Sequence, residues 1–520
     1  MPLSPAAFDF MRVQFAVTAS YHYLFVPITL GLILLIALME GAYLYSRDTG
    51  WRTGARFWSR FFFFAWCVGL ATGLPLRWQL THNWAGYSDY VREVLSRVLS
   101  IEGIVAPIML VLTCMMVFGW DRLNKYVHFA ATCLLGLVLC IQASTILTMN
   151  AWMQHPVGVT VAEGRAVVIS LEEIFRSPVA FDKISHALPA AVVIGCLFVL
   201  AICAWYCLQG KHLPIAHRSF KLAAVVGLVA TLATVVSGHH SARSVARHQP
   251  LKFAAIEALW RTEAAPAPLT LLAVPDRASR SNRYEIQLPY LLSLLGNHRL
   301  DQAPKGMDEL VDEAASRIRH ARHDGVEDGY DLLSRDLEQR TGHRVQEADI
   351  AAAANRLVPN VPVLFYSFRL MVGCGLVLSL LFGLAVWRRK QLAAGGQRWL
   401  LRLILVCLPL PWLATLAGWM VAEVGRQPWV VYGMLPTAKA VTVGGSLLSP
   451  QMGMLAAAGY LLLALFFCRA TLLTIALGPQ QSPFSWDNFL RLLGWRAIRP
   501  RAGTLTLHAT PLTLATRGLR

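Results

Sequence analysis

Charged side chains are scarce in this sequence: only 15% of its 520 residues are Asp, Glu, Lys or Arg, whereas 56% are hydrophobic. Soluble domains carry about 25% charged residues, so this composition argues against an ordinary soluble protein. Several apolar runs instead reach the roughly 20 residues that are needed to span a bilayer. The sequence therefore predicts an all-α polytopic membrane protein.

Cysteine is absent outside the apolar runs. All ten cysteines fall inside predicted membrane spans, where no pair can link an external loop. A disulfide framework is therefore not expected, and these cysteines are predicted to be small core residues. A basic leader is also absent before the first span, which is far longer than the core of a signal peptide, so we expect this span to be retained.

Hydropathy predicts nine membrane-spanning helices. Their approximate bounds are 15–46, 56–75, 100–119, 127–152, 184–208, 219–238, 361–387, 399–424 and 451–477. Lys and Arg concentrate in the loops after spans one, three, five and seven, which the positive-inside rule places in the cytoplasm. This rule puts the N-terminus outside and the C-terminus inside. The net charge of +17 then reflects topology and contact with anionic lipid, and no nucleic-acid partner is needed to explain it.

One long loop divides the chain. About 120 residues, 239–360, separate spans six and seven on the predicted outer side. A loop of this length is usually functional or disordered, and its charged part, 300–355, favours helices. The predicted organisation is helices 1–6 in 1–238, the loop in 239–360, helices 7–9 in 361–478 and a cytoplasmic tail in 479–520.

Charged residues near the end of the eighth span are the first functional signal. Glu423, Arg426 and Gln427 are three and four positions apart, so they share one face of a helix. A charge inside a membrane costs roughly 2.5 kcal/mol or more, so such groups are usually paired, buried in the bundle and functional. The alternative is a simple ion pair at the membrane interface, because Pro428 indicates that the helix is about to end.

Other polar residues share the predicted depth of Glu423 in the outer half of the membrane. They are His22, Glu102, His186 and Met371. Imidazole, thioether and carboxylate groups can all bind iron, and a His/Met pair is a known low-spin haem arrangement. Arg369 lies two positions before Met371 and suits a haem propionate. A single membrane histidine is often only an interhelical hydrogen-bond donor, and no Cys-x-x-Cys-His motif for haem attachment is present.

Several blocks of the sequence together resemble subunit I of the cytochrome bd ubiquinol oxidase family. The blocks are Met11–Phe15, Tyr21–Pro27, Ile101–Gly103, Gly119–Arg122, Asn150–Gln154, Phe368–Met371 and Gly425–Trp429. The resemblance extends over about residues 9–480. The Gly-Arg-Gln-Pro-Trp block is highly specific in combination with the others in this order.

This resemblance implies three haems. His186 and Met371 would be the axial ligands of a low-spin haem b, with Arg369 supporting it. His22 and Glu423 would serve a pair formed by a high-spin haem b and haem d, a chlorin, and the resemblance leaves open which ligand belongs to which haem. Further residues at this pair would be Glu102, as an iron ligand or a proton donor, and Arg12, Trp419 and Arg426 around it.

The resemblance also implies an activity and partners. The long loop would bind quinol, either ubiquinol or menaquinol, through Lys252 and Glu257, although residues five apart do not share a helix face. Quinol would be oxidised at the outer surface, and electrons would pass through the low-spin haem to the pair that reduces O2 to water with protons from the cytoplasm. The implied location is a bacterial inner membrane. The implied partners are a second large membrane subunit and, optionally, a small single-span subunit.

Two positions depart from the family pattern. Leu110 stands where a second carboxylate usually follows Glu102 by eight positions, and Arg77 replaces an acid. These departures keep an alternative open: a quinol-oxidising haem b protein that transfers electrons or senses redox state without fast oxygen reduction. A non-redox transporter is a more distant alternative, because the sequence has no inverted half-repeat and its polar residues lie at one depth.

Overall fold

The computed structural model of this protein describes residues 5–100, 102–297, 301–321, 329–341, 346–393, 396–441, 450–484 and 488. Most of the predicted cytoplasmic tail, 479–520, lies outside the described residues. Within the described part, nine helical stretches are long and apolar enough to cross a membrane, which confirms the predicted number.

The first part of the chain contains six of these stretches. Its elements are α1 (Pro5–Tyr23), α2 (Val26–Ser46), α3 (Thr49–His82), α4 (Ala85–Tyr90), α5 (Arg92–Val98), α6 (Glu102–Phe118), α7 (Lys125–Gln154), β1 (Val159–Ala162), β2 (Arg165–Val168), α8 (Leu171–Phe175), α9 (Pro178–Gln209) and α10 (Leu213–His248). The predicted first span is two helices, since a turn at Leu24 and Phe25 separates α1 from α2. The sixth helix is longer than predicted, so His239 and His240 lie inside α10 and not in a loop.

The segment between the sixth and seventh stretches is folded. It consists of α11 (Pro250–Glu257), β3 (Leu269–Asp276), β4 (Ser281–Leu288), α12 (Leu291–Asn297), α13 (Met307–His320), α14 (Gly329–Thr341) and α15 (Glu347–Arg356). The antiparallel hairpin of β3 and β4 precedes the helices that the charged composition of 300–355 favours. Apolar side chains of α11, α12 and α13 pack with the start of the following membrane helix.

The last part of the chain returns to the membrane. Its elements are α16 (Val361–Ala393), α17 (Arg398–Val406), α18 (Leu410–Val424), β5 (Trp429–Val431), β6 (Leu435–Pro436) and α19 (Pro450–Leu477). The predicted eighth span is broken between α17 and α18. Helix α18 ends just before the turn that leads to β5, as Pro428 predicts.

Helix α9 lies at the centre of the helical bundle. It packs against α2, α7, α10, α17 and α18, and residues 191–204 are almost all buried. A helix that is apolar on all sides is expected in such a position. Close packing with α2 requires small residues, because a Cβ on Gly31 would lie 2.7 Å from the Cα of Gly195.

Five membrane helices have one end on the side of the bundle that carries the folded segment. Helices α7, α10 and α18 end there, whereas α9 and α16 begin there. The predicted ligands His186, Met371 and Glu423 belong to this end. Their convergence follows from the alternating direction of the helices along the chain.

Candidate functional site

Glu423, near the C-terminal end of α18, is the centre of a polar cluster. It accepts hydrogen bonds from Arg426 Nη2 at 2.5 Å, Asn150 Nδ2 at 3.0 Å and Gln154 Nε2 at 3.3 Å. The predicted pairing of Glu423 with Arg426 is therefore present. Gln427 faces elsewhere and accepts a hydrogen bond from the hydroxyl of Thr437 at 3.0 Å.

Two lysines approach this carboxylate through side-chain amides. Lys183 donates to Asn150 Oδ1, and Lys252 donates to Gln154 Oε1 at 2.5 Å. Burial lowers the pKa of Lys252 well below its usual range, and Lys183 lowers it further, whereas Glu423 opposes the change. The cluster thus contains one carboxylate, one guanidinium group and two amines, which lie close together.

The predicted ligand His22 is held by one ring nitrogen. Its Nδ1 lies 2.9 Å from Thr72 Oγ1, and this hydroxyl itself donates to Val68 O at 2.8 Å. When the hydroxyl hydrogen is directed to Val68 O, Nδ1 donates to Oγ1 and carries the proton. The lone pair is then on Nε2, as is usual for a histidine that binds a metal.

His186 has the same arrangement on α9. Its Nδ1 lies 3.1 Å from the backbone O of Thr234, which can only accept a hydrogen bond. Nδ1 therefore carries the proton and Nε2 the lone pair. A carbonyl that fixes the tautomer in this way is the common outer partner of a metal-binding histidine.

Met371 faces α18. A Cβ placed on Gly418 would lie 3.0 Å from Met371 Sδ, so the two helices are close at this point. Trp419, the next residue, packs edge-on against Tyr23 with ring centroids 5.0 Å apart. Met371 and Trp419 therefore both lie around the last two turns of α18, which also carries Glu423.

Arg369 contacts the folded segment. It forms an ion pair with Glu257 at 3.0 Å and donates to the backbone oxygens of Ile256 at 2.8 Å and Leu271 at 3.1 Å. Burial raises the pKa of Glu257, and Arg369 opposes the increase. Lys252 and Glu257 thus face different partners at the two ends of α11, in agreement with their spacing.

Two other predicted residues, Glu102 and Arg12, form ion pairs with residues outside this cluster. Glu102 forms a 3.5 Å ion pair with Arg77, the residue that replaces an acid of the family pattern. Arg12 pairs with Asp9 at 3.4 Å, and neither Arg12 nor Asp9 is buried. Leu110 is half-exposed on the surface of α6.

A cleft lies between the folded segment and the turn after α18. Buried Lys252 and Arg426 contribute to its lining, together with Glu313, Arg317 and Tyr330 from α13 and α14. Aromatic and charged groups therefore surround the position of Lys252. This cleft is a candidate binding site for a small polar ligand or head group.

Glycines and, within the described ranges, an incompletely paired arginine accompany the candidate ligands. Glycines lie beside three of them: Gly73 at His22, Gly238 at His186 and Gly418 at Met371, each with the ligand side chain within 3.4 Å of the Cβ that another residue would add. Buried Arg426 also has two N–H groups, Nε and Nη1, without a partner among the described residues. An arginine with these two N–H groups to spare, in a cluster that also holds two amines, suits an anionic group such as a propionate. The residues present therefore fit haem.

Some residues of the cluster were not predicted from the sequence to belong to the site. Asn150 and Gln154 are four positions apart on α7, and Lys183 precedes His186 by three positions on α9. The spacing of the two amides is a helix-face signal, but amides are common near helix ends and the spacing alone does not reveal their partners. Another buried pair was missed at the opposite end of α7, where His128 Nδ1 lies 2.8 Å from Glu40 Oε2.

Fold and site together define a multi-pass helical membrane protein with histidine, methionine and glutamate side chains arranged at one end of the bundle. Comparison with known proteins identifies the family. The profile of the family "Cytochrome bd terminal oxidase subunit I" matches residues 10–479. This chain therefore belongs to that family, as the sequence blocks predict.

Individual relatives agree with this assignment. The chain is 37% identical over 458 residues to "Cytochrome bd-II ubiquinol oxidase subunit 1" of Escherichia coli, covering 83% of this chain and 89% of that protein. It is 34% identical over 443 residues to "Cytochrome bd ubiquinol oxidase subunit 1" of Bacillus subtilis, covering 84% and 87%. The structure of bd oxidase from Geobacillus thermodenitrificans has a similar fold, with a TM-score of 0.74, 23% identity and coverage of 89% and 96%.

Proposed function

We propose that this chain is the haem-bearing subunit of a terminal quinol oxidase, which oxidises quinol and reduces O2 to water in a bacterial inner membrane. The observation that carries the proposal is that His22 and His186 are hydrogen-bonded in the same way. Each is anchored through Nδ1, so each has its Nε2 lone pair available to an iron. Bound haems would supply electron transfer and oxygen binding.

Five side chains would hold these haems. His186 and Met371 would bind a low-spin haem b, and His22 and Glu423 would serve a high-spin haem b and haem d, with Glu102 beside them as ligand or proton donor. Arg426 would donate to a propionate from Nε and Nη1, which have no partner within the described part of the chain. Asn150 and Gln154 donate to Glu423 and so hold its carboxylate in one orientation.

The quinol would bind against α11. Lys252 lines the cleft beside the turn after α18, and its amine can donate to a quinol oxygen. Glu257, whose pKa is raised by burial, is suited to accept a quinol proton, since it binds protons at a higher pH than an ordinary glutamate. Its neighbour Arg369 would stabilise the carboxylate when the proton leaves.

Topology and partners complete the proposal. The segment between α10 and α16 would face outside, with the N-terminus outside and the C-terminus in the cytoplasm, because Lys and Arg concentrate in the opposite loops. A second large membrane subunit would complete the oxidase, since the relatives are named as subunit 1, and a small single-span subunit could accompany it.

Protons for water would enter by a route that does not use position 110, because leucine cannot carry a proton.

One observation favours the second candidate function, quinol-linked electron transfer without fast oxygen reduction. The Arg77 guanidinium lies 3.5 Å from Glu102, where the family pattern has an acid in place of the arginine. A neighbouring cation holds a carboxylate in its ionised form. Glu102 would then carry a proton for reacting oxygen less often than it would beside the acid of the family pattern.

A reduced-minus-oxidised absorption spectrum of membranes with this chain and its partner subunit would test the proposal, followed by extraction of the pigments. A chlorin band that shifts with carbon monoxide, together with haem b, is expected. Haem b without chlorin would favour the electron-transfer function, and a folded protein without haem would contradict both. Met371→Ala should remove the low-spin haem spectrum, and an unchanged spectrum would overturn that ligand assignment.

A further inference from the structure

Gln154, the last residue of α7, contacts both halves of the candidate site. Its side-chain Nε2 donates to Glu423 Oε1 at 3.3 Å and to Ala422 O at 3.2 Å, and its Oε1 accepts from Lys252 Nζ at 2.5 Å. Its backbone O accepts from Gln249 Nε2 at 2.7 Å. The residue is only 2% exposed, so solvent has little access to these contacts.

The donor and acceptor ends of the Gln154 amide each face a complementary group. The donor end of Gln154 meets the carboxylate of Glu423, and the acceptor end meets the amine of Lys252. Reversing the amide would place donor against donor and acceptor against acceptor, leaving buried groups unpaired. The side chain is therefore held in one orientation by both partners at once.

A neighbouring amide provides a comparison. Asn150 also donates to Glu423, at 3.0 Å, but its oxygen accepts from Lys183 on α9. Both amides therefore support the same carboxylate. Only the contact through Gln154 reaches α11, where the proposed quinol-binding residue Lys252 lies.

We propose that Gln154 is a positioning residue that couples quinol binding at Lys252 to the surroundings of Glu423. This inference rests on the proposed function, in which Lys252 contacts quinol and Glu423 serves a haem. A quinol oxygen that takes a hydrogen bond from Lys252 changes the contact that holds Gln154, and Gln154 transmits the change to the carboxylate. Such coupling is reciprocal, so a change at Glu423 also alters the affinity of Lys252 for its ligand.

Matched substitutions in the complete oxidase test this coupling. Gln154→Met removes both side-chain contacts at similar size, whereas Gln154→Glu keeps the oxygen that faces Lys252 and loses the donor to Glu423. Asn150→Leu is the control, because it removes a donor to Glu423 without touching Lys252. The readouts are the quinol KM, the absorption spectrum and midpoint potentials of the high-spin haems, and thermal stability.

The expected results separate the two amides. Gln154→Met should raise the quinol KM roughly tenfold, as loss of a hydrogen bond to a charged group does, and should also shift the haem spectrum. Asn150→Leu should shift the spectrum with little change in KM. Gln154→Glu should keep a KM near that of the native protein but still shift the spectrum.

A double-mutant cycle gives the decisive comparison. Lys252→Met should shift the high-spin haem potential in the native background, and this shift should disappear when Gln154→Met is also present. Equal effects of Gln154→Met and Asn150→Leu on KM, or additive effects of Lys252→Met and Gln154→Met on the potential, would overturn the coupling but leave the oxidase function intact. If Lys252→Met left KM unchanged, the proposed role of Lys252 would be wrong, and the coupling with it.

Discussion

Glu257 at the end of α11 is buried and forms an ion pair with partly buried Arg369 on α16, with 3.0 Å between Oε2 and Nη2. The two residues are 112 positions apart in the sequence, and the pair joins the folded segment to the helix that carries Met371. Arg369 also donates to three backbone oxygens of that segment, those of Ile256, Thr270 and Leu271. The residue that we propose to support a haem and the residue that we propose to bind quinol are therefore in direct contact.

Removing Arg369 should destabilise this contact strongly. Arg369→Met leaves Glu257 buried without its cation, and breaking one side of a buried ion pair costs about 3 kcal/mol. The pKa of Glu257, already raised by burial, should increase further because the opposing arginine is gone. Thermal unfolding of the purified oxidase in detergent measures the loss of stability.

The double substitution Glu257→Leu with Arg369→Met is the control. It removes both charges, so it should be more stable than Arg369→Met alone. A double variant that is less stable than either single variant would show that the charges contribute independently, against the pairing described here.

A larger side chain at position 418 on α18 should displace the side chain of Met371. Gly418→Ala places a Cβ 3.0 Å from Met371 Sδ, which forces the thioether to move by a few tenths of an ångström. We expect a shifted or weakened low-spin haem band and little change in the high-spin bands. Gly373→Ala is the matched control, because a Cβ there meets no described atom within 4 Å. Equal spectra for both variants would contradict the position of Met371 as a ligand.

The buried pair of Glu40 and His128 should matter for stability at the other end of the bundle. Glu40 accepts from Thr132 at 2.8 Å and pairs with His128 Nδ1, and both side chains of the pair are about 5% exposed. His128→Leu leaves the carboxylate with one partner fewer, at a cost of about 3 kcal/mol. Thermal unfolding of His128→Leu, Glu40→Leu and the double variant checks this, and the double variant should be the most stable of the three.

Sequence alone predicted the fold because its signal is local. Long apolar runs identify the membrane helices, and a spacing of three positions identifies the pair of Glu423 and Arg426. The cluster around Glu423 was predicted only in part, because Lys183 and Lys252 reach it through the side chains of Asn150 and Gln154 on another helix. Such contacts depend on how helices pack, and an amide near a helix end looks the same whether it bridges two charges or faces water.

A histidine pair beside Gln154 and Gln249 gives a prediction for pH. His155 follows α7 and His248 ends α10, with ring centroids 4.2 Å apart. Burial lowers the pKa of His155, and the nearby His248 lowers it further. The unfolded chain therefore binds a proton at this position at a higher pH than the folded chain does, so stability falls as the pH drops through the ordinary histidine range near about 6.5.

Replacing His155 should weaken this pH dependence. In His155→Asn the group with the lowered pKa is gone, so the decrease in unfolding temperature between about pH 7 and about pH 5.5 should be smaller than in the native protein. His320→Asn, at an exposed position on α13, serves as the control and should keep the native dependence. His248→Asn should have a smaller effect than His155→Asn, because it removes the repulsion but leaves the burial that is the larger cause of the lowered pKa of His155. If the slopes of all three variants equalled the native slope, the acid sensitivity would have to arise elsewhere in the protein.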